Sequence, residues 1–242
     1  MTASGRPTLR VLSAGPDVTI QDGGRHGYLR YGVTGAGPMD RLAHATANRA
    51  VDNAATVAAI EVSLGGIEVT VDDGAIAVAV AGGEFAITLN GQALPLAVTT
   101  LVEPGAKLRL RAGNSGSWCY LAVVGGFDLP PVLGSVSTHT RTAIGGLDGR
   151  ALLAGDRLAI DSAQAREAGE TGLVVAPLLD RPADTVRVIL GPQADYFAKD
   201  QIESFLAGLW KISARGDRMA TATPSTPAGP ARSKCCPRPS PT

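Results

Sequence analysis

The sequence has no surplus of either charge: 22 Lys and Arg stand against 22 Asp and Glu. A balanced chain has no global attraction for phosphate backbones or anionic lipid, so binding to nucleic acid or a membrane surface is not expected. Cysteine is scarce. Cys119 lies in an apolar run, while Cys235 and Cys236 are adjacent near the end. That is neither a disulfide framework nor a Cys-x-x-Cys metal spacing, so a reducing, cytoplasmic setting is expected. Long hydrophobic runs are missing as well. The uninterrupted apolar stretch from Ala75 to Ala81 falls far short of the roughly 20 residues of a spanning helix, and no signal-peptide core precedes it. Aromatics make up only 4%, against 30 glycines and 16 prolines. Such a composition leaves helices a minor part and favours short strands joined by tight turns.

Several standard chemistries are absent too. No Gly-Lys-Ser or Gly-Lys-Thr phosphate loop occurs, and His26, His44 and His139, the only histidines, show no metal-ligand spacing. No metal site is expected. Gly113-Asn114-Ser115-Gly116 is not the Gly-x-Ser-x-Gly elbow of a serine hydrolase. The lysines are Lys107, Lys199, Lys211 and Lys234, and none follows a methionine as in a biotin-carrier acceptor site. The chain is expected to carry no covalent biotin.

What is present alternates. Ile60 to Leu64, Ile67 to Val71 and Lys107 to Arg111 switch between apolar and polar residues, and Phe85 to Leu89 nearly so. Period two predicts strands with one buried face. Asn90-Gly91 predicts a type I′ hairpin turn, because both central residues need positive φ. One helix is predicted from Pro38 at a first helical position through Val51, ended by Asp52-Asn53, with Met39, Leu42, Ala43, Thr46 and Ala50 on its apolar stripe. After the polar stretch 161–172, a strand is predicted at Thr185 to Leu190, a helix within Tyr196 to Leu209, and a further extended segment from Trp210 to Ser213. Residues 220–242 contain six prolines and no Leu, Ile, Val or aromatic, so a disordered tail is predicted.

Two polar clusters stand out. The first is Gln21-Asp22-Gly23-Gly24-Arg25-His26, followed by Gly37-Pro38-Met39-Asp40. A carboxylate, an amide and a guanidinium framed by glycines can hold a planar carboxylate or a phosphate. They can equally pin a loop. The second runs from Pro130 through Ser135, Thr138 and Arg141 to Gly145-Gly146, with hydroxyls and a guanidinium that suit an oxyanion or that cap their own backbone. Glu61 is a third candidate, although alternation in its strand would face it outward. The paired glycines, Gly145-Gly146 among them, fit turns or the floor of a site.

These clusters, in this order, resemble one family. Thr19-Ile20-Gln21-Asp22-Gly23-Gly24-Arg25, Gly32-Val33, Gly37-Pro38-Met39-Asp40, Ala47-Asn48-Arg49 and Ile60-Glu61-Val62 are followed by Gly125-Gly126, Pro131-Val132-Leu133-Gly134-Ser135, Gly145-Gly146-Leu147 and Gly155-Asp156. The series is similar to the biotin-dependent carboxyltransferase domain family, whose members include the C-type subunit of 5-oxoprolinase, the second subunit of allophanate hydrolase, the KipI antagonist and the carboxyltransferase part of urea amidolyase. The resemblance implies a mainly β fold of cyclophilin-like β-barrel lobes with one or two short helices. It also implies a cytoplasmic enzyme subunit working with A-type and B-type sister subunits, with ATP at the complex interface. The implied reaction is hydrolysis of 5-oxoproline, a small cyclic amide, to glutamate. Urea or allophanate chemistry, or binding of a kinase inhibitor as a regulator, are the alternatives the family contains. Carried over residue by residue, Gln21, Asp22, Arg25 and Asp40 form or brace one wall of the substrate site. Ser135, Thr138 and Arg141 form another, with Asn48 and Glu61 behind them. The expected lobes are 9–160 and an incomplete 173–219. The family pattern is lost after Met219, where a shifted frame or truncation is expected, and such a chain need not be active.

Overall fold

The alternating segments fold into two six-stranded sheets in the computed structural model, which describes residues 6–161, 172–173 and 187–210. The chain divides into two units, 1–181 and 182–242. In the first unit, β1 (Thr8–Ala14), β4 (Ile67–Asp72), β6 (Phe85–Leu89), β7 (Gln92–Leu94), β9 (Lys107–Ala112) and β11 (Arg157–Ala159) form one sheet, in the order β11-β1-β4-β9-β6-β7. The second sheet is built from β2 (Thr19–Gln21), β3 (Ala59–Val62), β5 (Ile76–Gly82), β8 (Val98–Val102), β10 (Cys119–Val123) and β12 (Gly172–Leu173), in the order β12-β8-β5-β10-β3-β2. Every ladder within them is antiparallel. The mainly β expectation holds.

The predicted strands coincide with β3, β4, β6 and β9 to within two residues at either end. Between β6 and β7, Asn90 and Gly91 adopt φ 51° and 83°, and Leu89 pairs with Gln92, which is the two-residue turn that the dipeptide predicts. Side chains of one parity from both sheets meet in a common core: Leu9, Val69 and Leu110 from the first sheet, and Ile60, Val78 and Leu121 from the second. Sheet-on-sheet packing follows from the period, since each strand sends alternate residues to the same side.

The second sheet is covered on its other face as well. Helix α1 (Arg41–Ala50) lays Ala43 and Ala47 on Ala59, Ala79, Ala81, Tyr120 and Ala122. Small residues on both partners let the helix approach closely. This explains why every residue of β3 and β10 is buried. Two expectations are corrected here. The helix starts at Arg41 and not at Pro38, because Asp40 is its N-cap, accepting from Leu42 N and Ala43 N. Its buried face is Ala43, His44, Ala47 and Asn48, whereas Met39 and Leu42 are exposed.

In the second unit, residues 187–190 have no regular structure, and the predicted helix is confined to α2 (Lys199–Ala207). The indole of Trp210 donates to Phe205 O at 2.8 Å and closes its end. Residues 185–186 of the expected strand, 211–213 of the extended segment, 162–171 of the linker and the whole tail 220–242 lie outside the described residues. Among the described residues, no helix is long and apolar enough to cross a membrane.

The alanine-lined contact between α1 and the second sheet leaves no room for a larger side chain. We expect Ala47→Leu to destabilise the chain by about 1–3 kcal/mol through overpacking. The urea midpoint of unfolding measures this, and an unchanged midpoint would show that the helix sits further from the sheet.

Candidate functional site

The two glycine-framed clusters come together. Asp22 follows β2, and its carboxylate reaches across to the segment 135–137. Oδ1 accepts from Ser135 Oγ and Ser137 Oγ, both at 2.6 Å, and from Gly24 N at 2.9 Å, while Oδ2 accepts from Val136 N at 2.8 Å. Burial alone would raise the pKa of Asp22, but the bonds from Ser135, Ser137, Gly24 and Val136 outweigh it and hold the carboxyl below its ordinary value. Arg25 grips the same segment through its carbonyls. Nε donates to Val132 O at 2.8 Å, and Nη2 donates to Ser135 O at 3.2 Å and Ser137 O at 3.1 Å. Arg25 is only 1% exposed.

Glycine is required directly above it. A Cβ at Gly145 would lie 2.0 Å from Ser137 O and 2.9 Å from Arg25 Nη2, and Gly145 itself holds φ 72°. Only a residue without a side chain lets the turn rest there.

Gln21 ties this clamp to the rest of the fold. Its Nε2 donates to Thr138 O at 3.1 Å, its Oε1 accepts from Gly37 N at 3.0 Å, and its carbonyl lies 3.1 Å from His44 Nε2. From His44 a buried polar series continues under α1. Asn48 donates to Val57 O, Asn53 donates to Asn48 Oδ1 and Val123 O, and Gly125 N donates to Asn53 Oδ1. Burial lowers the His44 pKa, against the raising effect of carbonyls such as Gln21 O, so the ring is held neutral. Its edge meets Tyr120 at 5.5 Å between centroids and 85° between planes. The Tyr120 hydroxyl accepts from Asp40 N at 2.7 Å and donates to Glu61 Oε2 at 2.9 Å, and Met39 N also donates to Glu61 Oε2, at 2.8 Å. Desolvation raises the Tyr120 pKa, so the phenol keeps its proton.

A model of the carboxyltransferase domain, subdomains A and B, matches residues 31–236. The chain belongs to this family. Among relatives, the C-type subunit of 5-oxoprolinase from Escherichia coli is 36% identical over 216 residues, covering 87% of this chain and 66% of that protein. Urea amidolyase of Saccharomyces cerevisiae is 34% identical over 219 residues, covering 87% of this chain and 12% of its own length. The crystal structure of the K. lactis urea amidolyase superposes with a TM-score of 0.75 at 28% identity, covering 95% of this chain and 14% of that one. The chain therefore spans just under two thirds of the bacterial relative and a small part of the fungal ones.

Of the residues singled out in the sequence, Gln21, Asp22, Arg25, Ser135 and Thr138 converge in one clamp. Asp40 caps α1, Arg141 is exposed three positions beyond Thr138, and Asn48 and Glu61 sit beneath the helix. The expected outward orientation of Glu61 is corrected: it is fully buried, because α1 covers the face that alternation assigns it. Sequence reasoning missed Ser137, Tyr120, His44 and Asn53 as members of this network. A Tyr inside the apolar run 119–124 was the available signal, since a buried phenol needs a partner. Among the described residues, no group of three or more His, Cys, Asp or Glu could hold a metal ion.

Removing the Asp22 carboxylate strands four donors. We expect Asp22→Ala to cost roughly 2–4 kcal/mol, read from chemical denaturation; a loss within error of zero would show that the clamp is not structural.

The pH dependence has a definite sign. A depressed His44 pKa gives stability that is complete above about 6.5, its ordinary value, and is lost as pH falls. Asp22 adds a second loss only below about 3.8. Thermal melts should therefore begin to fall between about pH 7 and 5, and His44→Gln should flatten that limb. A wild-type melt that rises over this window would contradict the neutral, buried imidazole.

Proposed function

We propose that this chain is a subunit of an ATP-dependent complex that opens 5-oxoproline to glutamate. The observation that carries the reading is the 36% identity to the C-type 5-oxoprolinase subunit across 87% of the chain. The identity to the bacterial subunit, 36%, is also somewhat higher than the 34% to the fungal amidolyase. In this reading the chain works in the cytoplasm with A-type and B-type sister subunits, and ATP is handled at their interface. The small amide lies against the clamp, with its oxygen toward donors of the 135–146 loops. Preorganisation supplies the advantage. The loops are already held by buried hydrogen bonds, so donors near the amide oxygen need no reorientation as charge builds on it.

Urea-type carboxyl transfer is the second reading, favoured by the fungal sequence and structural similarity. Co-expression of the chain with its sister subunits, followed by ATPase assays with 5-oxoproline and with urea, separates the two. We expect ATP hydrolysis that requires 5-oxoproline and this chain together. Stimulation by urea alone supports the second reading. No turnover with the full set, alongside tight binding of a kinase inhibitor, would replace both with the regulatory role.

A further inference from the structure

Beside the clamp the chain makes an excursion that its own fold does not use. Arg25 N donates to Gly35 O, which joins the two feet of the segment 26–34. The segment turns on glycine at both sides: Gly27 and Gly32 hold φ 89° and 78°, and a Cβ on either would meet nothing within 4 Å. Between them lies the 3-10 turn Leu29–Tyr31, closed by Tyr31 N to Tyr28 O and Gly32 N to Leu29 O, both at 2.9 Å. None of its residues is buried. The turn is therefore shaped by its own backbone and stands out from the body, with no side chain of its own anchored in the core.

Its side chains are the wrong ones for a solvated loop. Leu29 is 76% exposed and Tyr31 66%, and the Arg30 guanidinium lies 4.7 Å from the centre of the Tyr31 ring. The whole chain has only four Phe, two Trp and four Tyr, yet Tyr28 and Tyr31 both fall in this excursion. Tyr and Arg are the residues most enriched where proteins bind one another, and neighbouring exposed apolar groups mark such surfaces. A small molecule fits less well, since it needs a hollow and this is a projection.

The surrounding charge says what kind of partner is suited. Residues 23–51 contain one acid, Asp40, against Arg25, Arg30, Arg41 and Arg49, in a chain whose total charge is balanced. Arg25 is buried in the clamp and Asp40 caps α1, so the exposed charges here are Arg30, Arg41 and Arg49. Such a surface attracts carboxylates. It also repels itself: a two-fold contact would set the same arginines of two copies against each other.

We propose that the turn Leu29-Arg30-Tyr31 docks the chain on a sister subunit, its side chains entering an apolar groove rimmed by Asp and Glu on that subunit. The proposal rests on the reading that the chain works in a complex, and it adds where the partner sits and what its surface is made of. The feet of the excursion adjoin the clamp, because Arg25 Nε also donates to Val132 O at 2.8 Å. A partner seated on the turn therefore borders the candidate site.

Calorimetric titration of the full chain against the A-type and B-type subunits tests this. We expect one of them to bind, and the double variant Leu29→Ala with Tyr31→Ala to weaken that binding by at least about tenfold. Arg30→Glu should weaken it to a similar extent, and Arg30→Lys should recover most of the loss because the charge remains. Unchanged circular dichroism melts would show that all these variants are folded. Raising sodium chloride from about 0.1 to 1 M, which shortens the screening length from about 10 to 3 Å, should weaken the wild-type complex. Variants that bind as tightly as wild type would overturn the docking element and leave the subunit reading standing. Wild type that binds neither subunit would overturn both. Affinity that does not fall with salt would overturn the acidic rim. A chain that self-associates in analytical ultracentrifugation, and becomes monomeric in the double variant, would make the occupant a second copy and overturn the proposal.

Discussion

One short segment, residues 132–138, is gripped from both sides of its backbone by opposite charges. Its carbonyls at Val132, Ser135 and Ser137 point to the Arg25 guanidinium, while its Val136 N–H and the hydroxyls of Ser135 and Ser137 point to the Asp22 carboxylate. Buried charges are tolerated only when dipoles replace the water they lose. Here each charge finds dipoles on the same segment, which fixes that segment's conformation. Leu133, at φ 53°, is held where a residue with a Cβ is not at ease, and Arg25 bonds the carbonyl just before it. The loop is shaped by the charges rather than by its own preferences.

The clamp also depends on what lies behind it. Gln21 joins the segment 132–138 to the loop at Gly37 and to His44 on α1, and the series through Asn48 and Asn53 reaches the backbone at Gly125. In parallel, Glu61 and Tyr120 fix the backbone at Met39 and Asp40, where α1 begins. Between the helix and the sheet these polar groups therefore run beside the alanine-lined contact, while a large apolar core sits between the two sheets. This division suits a binding scaffold: the apolar core supplies stability, and the polar groups set the positions of loops at the sheet's edge.

Much of this could be read from the residues, and the parts that could not have physical causes. Alternation located β4, β6 and β9, because one face of each meets the core and the other meets water. The same period misdirects at Glu61, since alternation says that two faces differ but not what covers each. Only the packing of Ala43 and Ala47 on Ala59 and Ala122 shows that β3 is buried on both sides. The helix start was displaced by three residues because Pro38 and Asp40 both suit the beginning of a helix, and the capping bonds decide between them. At the site, the ordered glycine-framed clusters announced that residues 21–25 and 135–138 belong together. That Asp22 and Arg25 address one segment rather than each other was hidden, for spacing along a chain does not say which partner a charge will find.

The family places this chain among carboxyltransferase domains, and the clamp is what gives that placement chemical content. Five of the residues singled out in the sequence sit within a single hydrogen-bonded unit held together before any ligand arrives. The most direct test of that unity is native-state hydrogen exchange. The amides of Val136, Thr138 and Gly146 donate to Asp22, Ile20 and Val136 respectively. The account predicts that all three open with the same free energy as the amides of β3 and β10, as parts of one cooperative unit. Exchange of these loop amides many times faster than the core strands, each at its own rate, would contradict it.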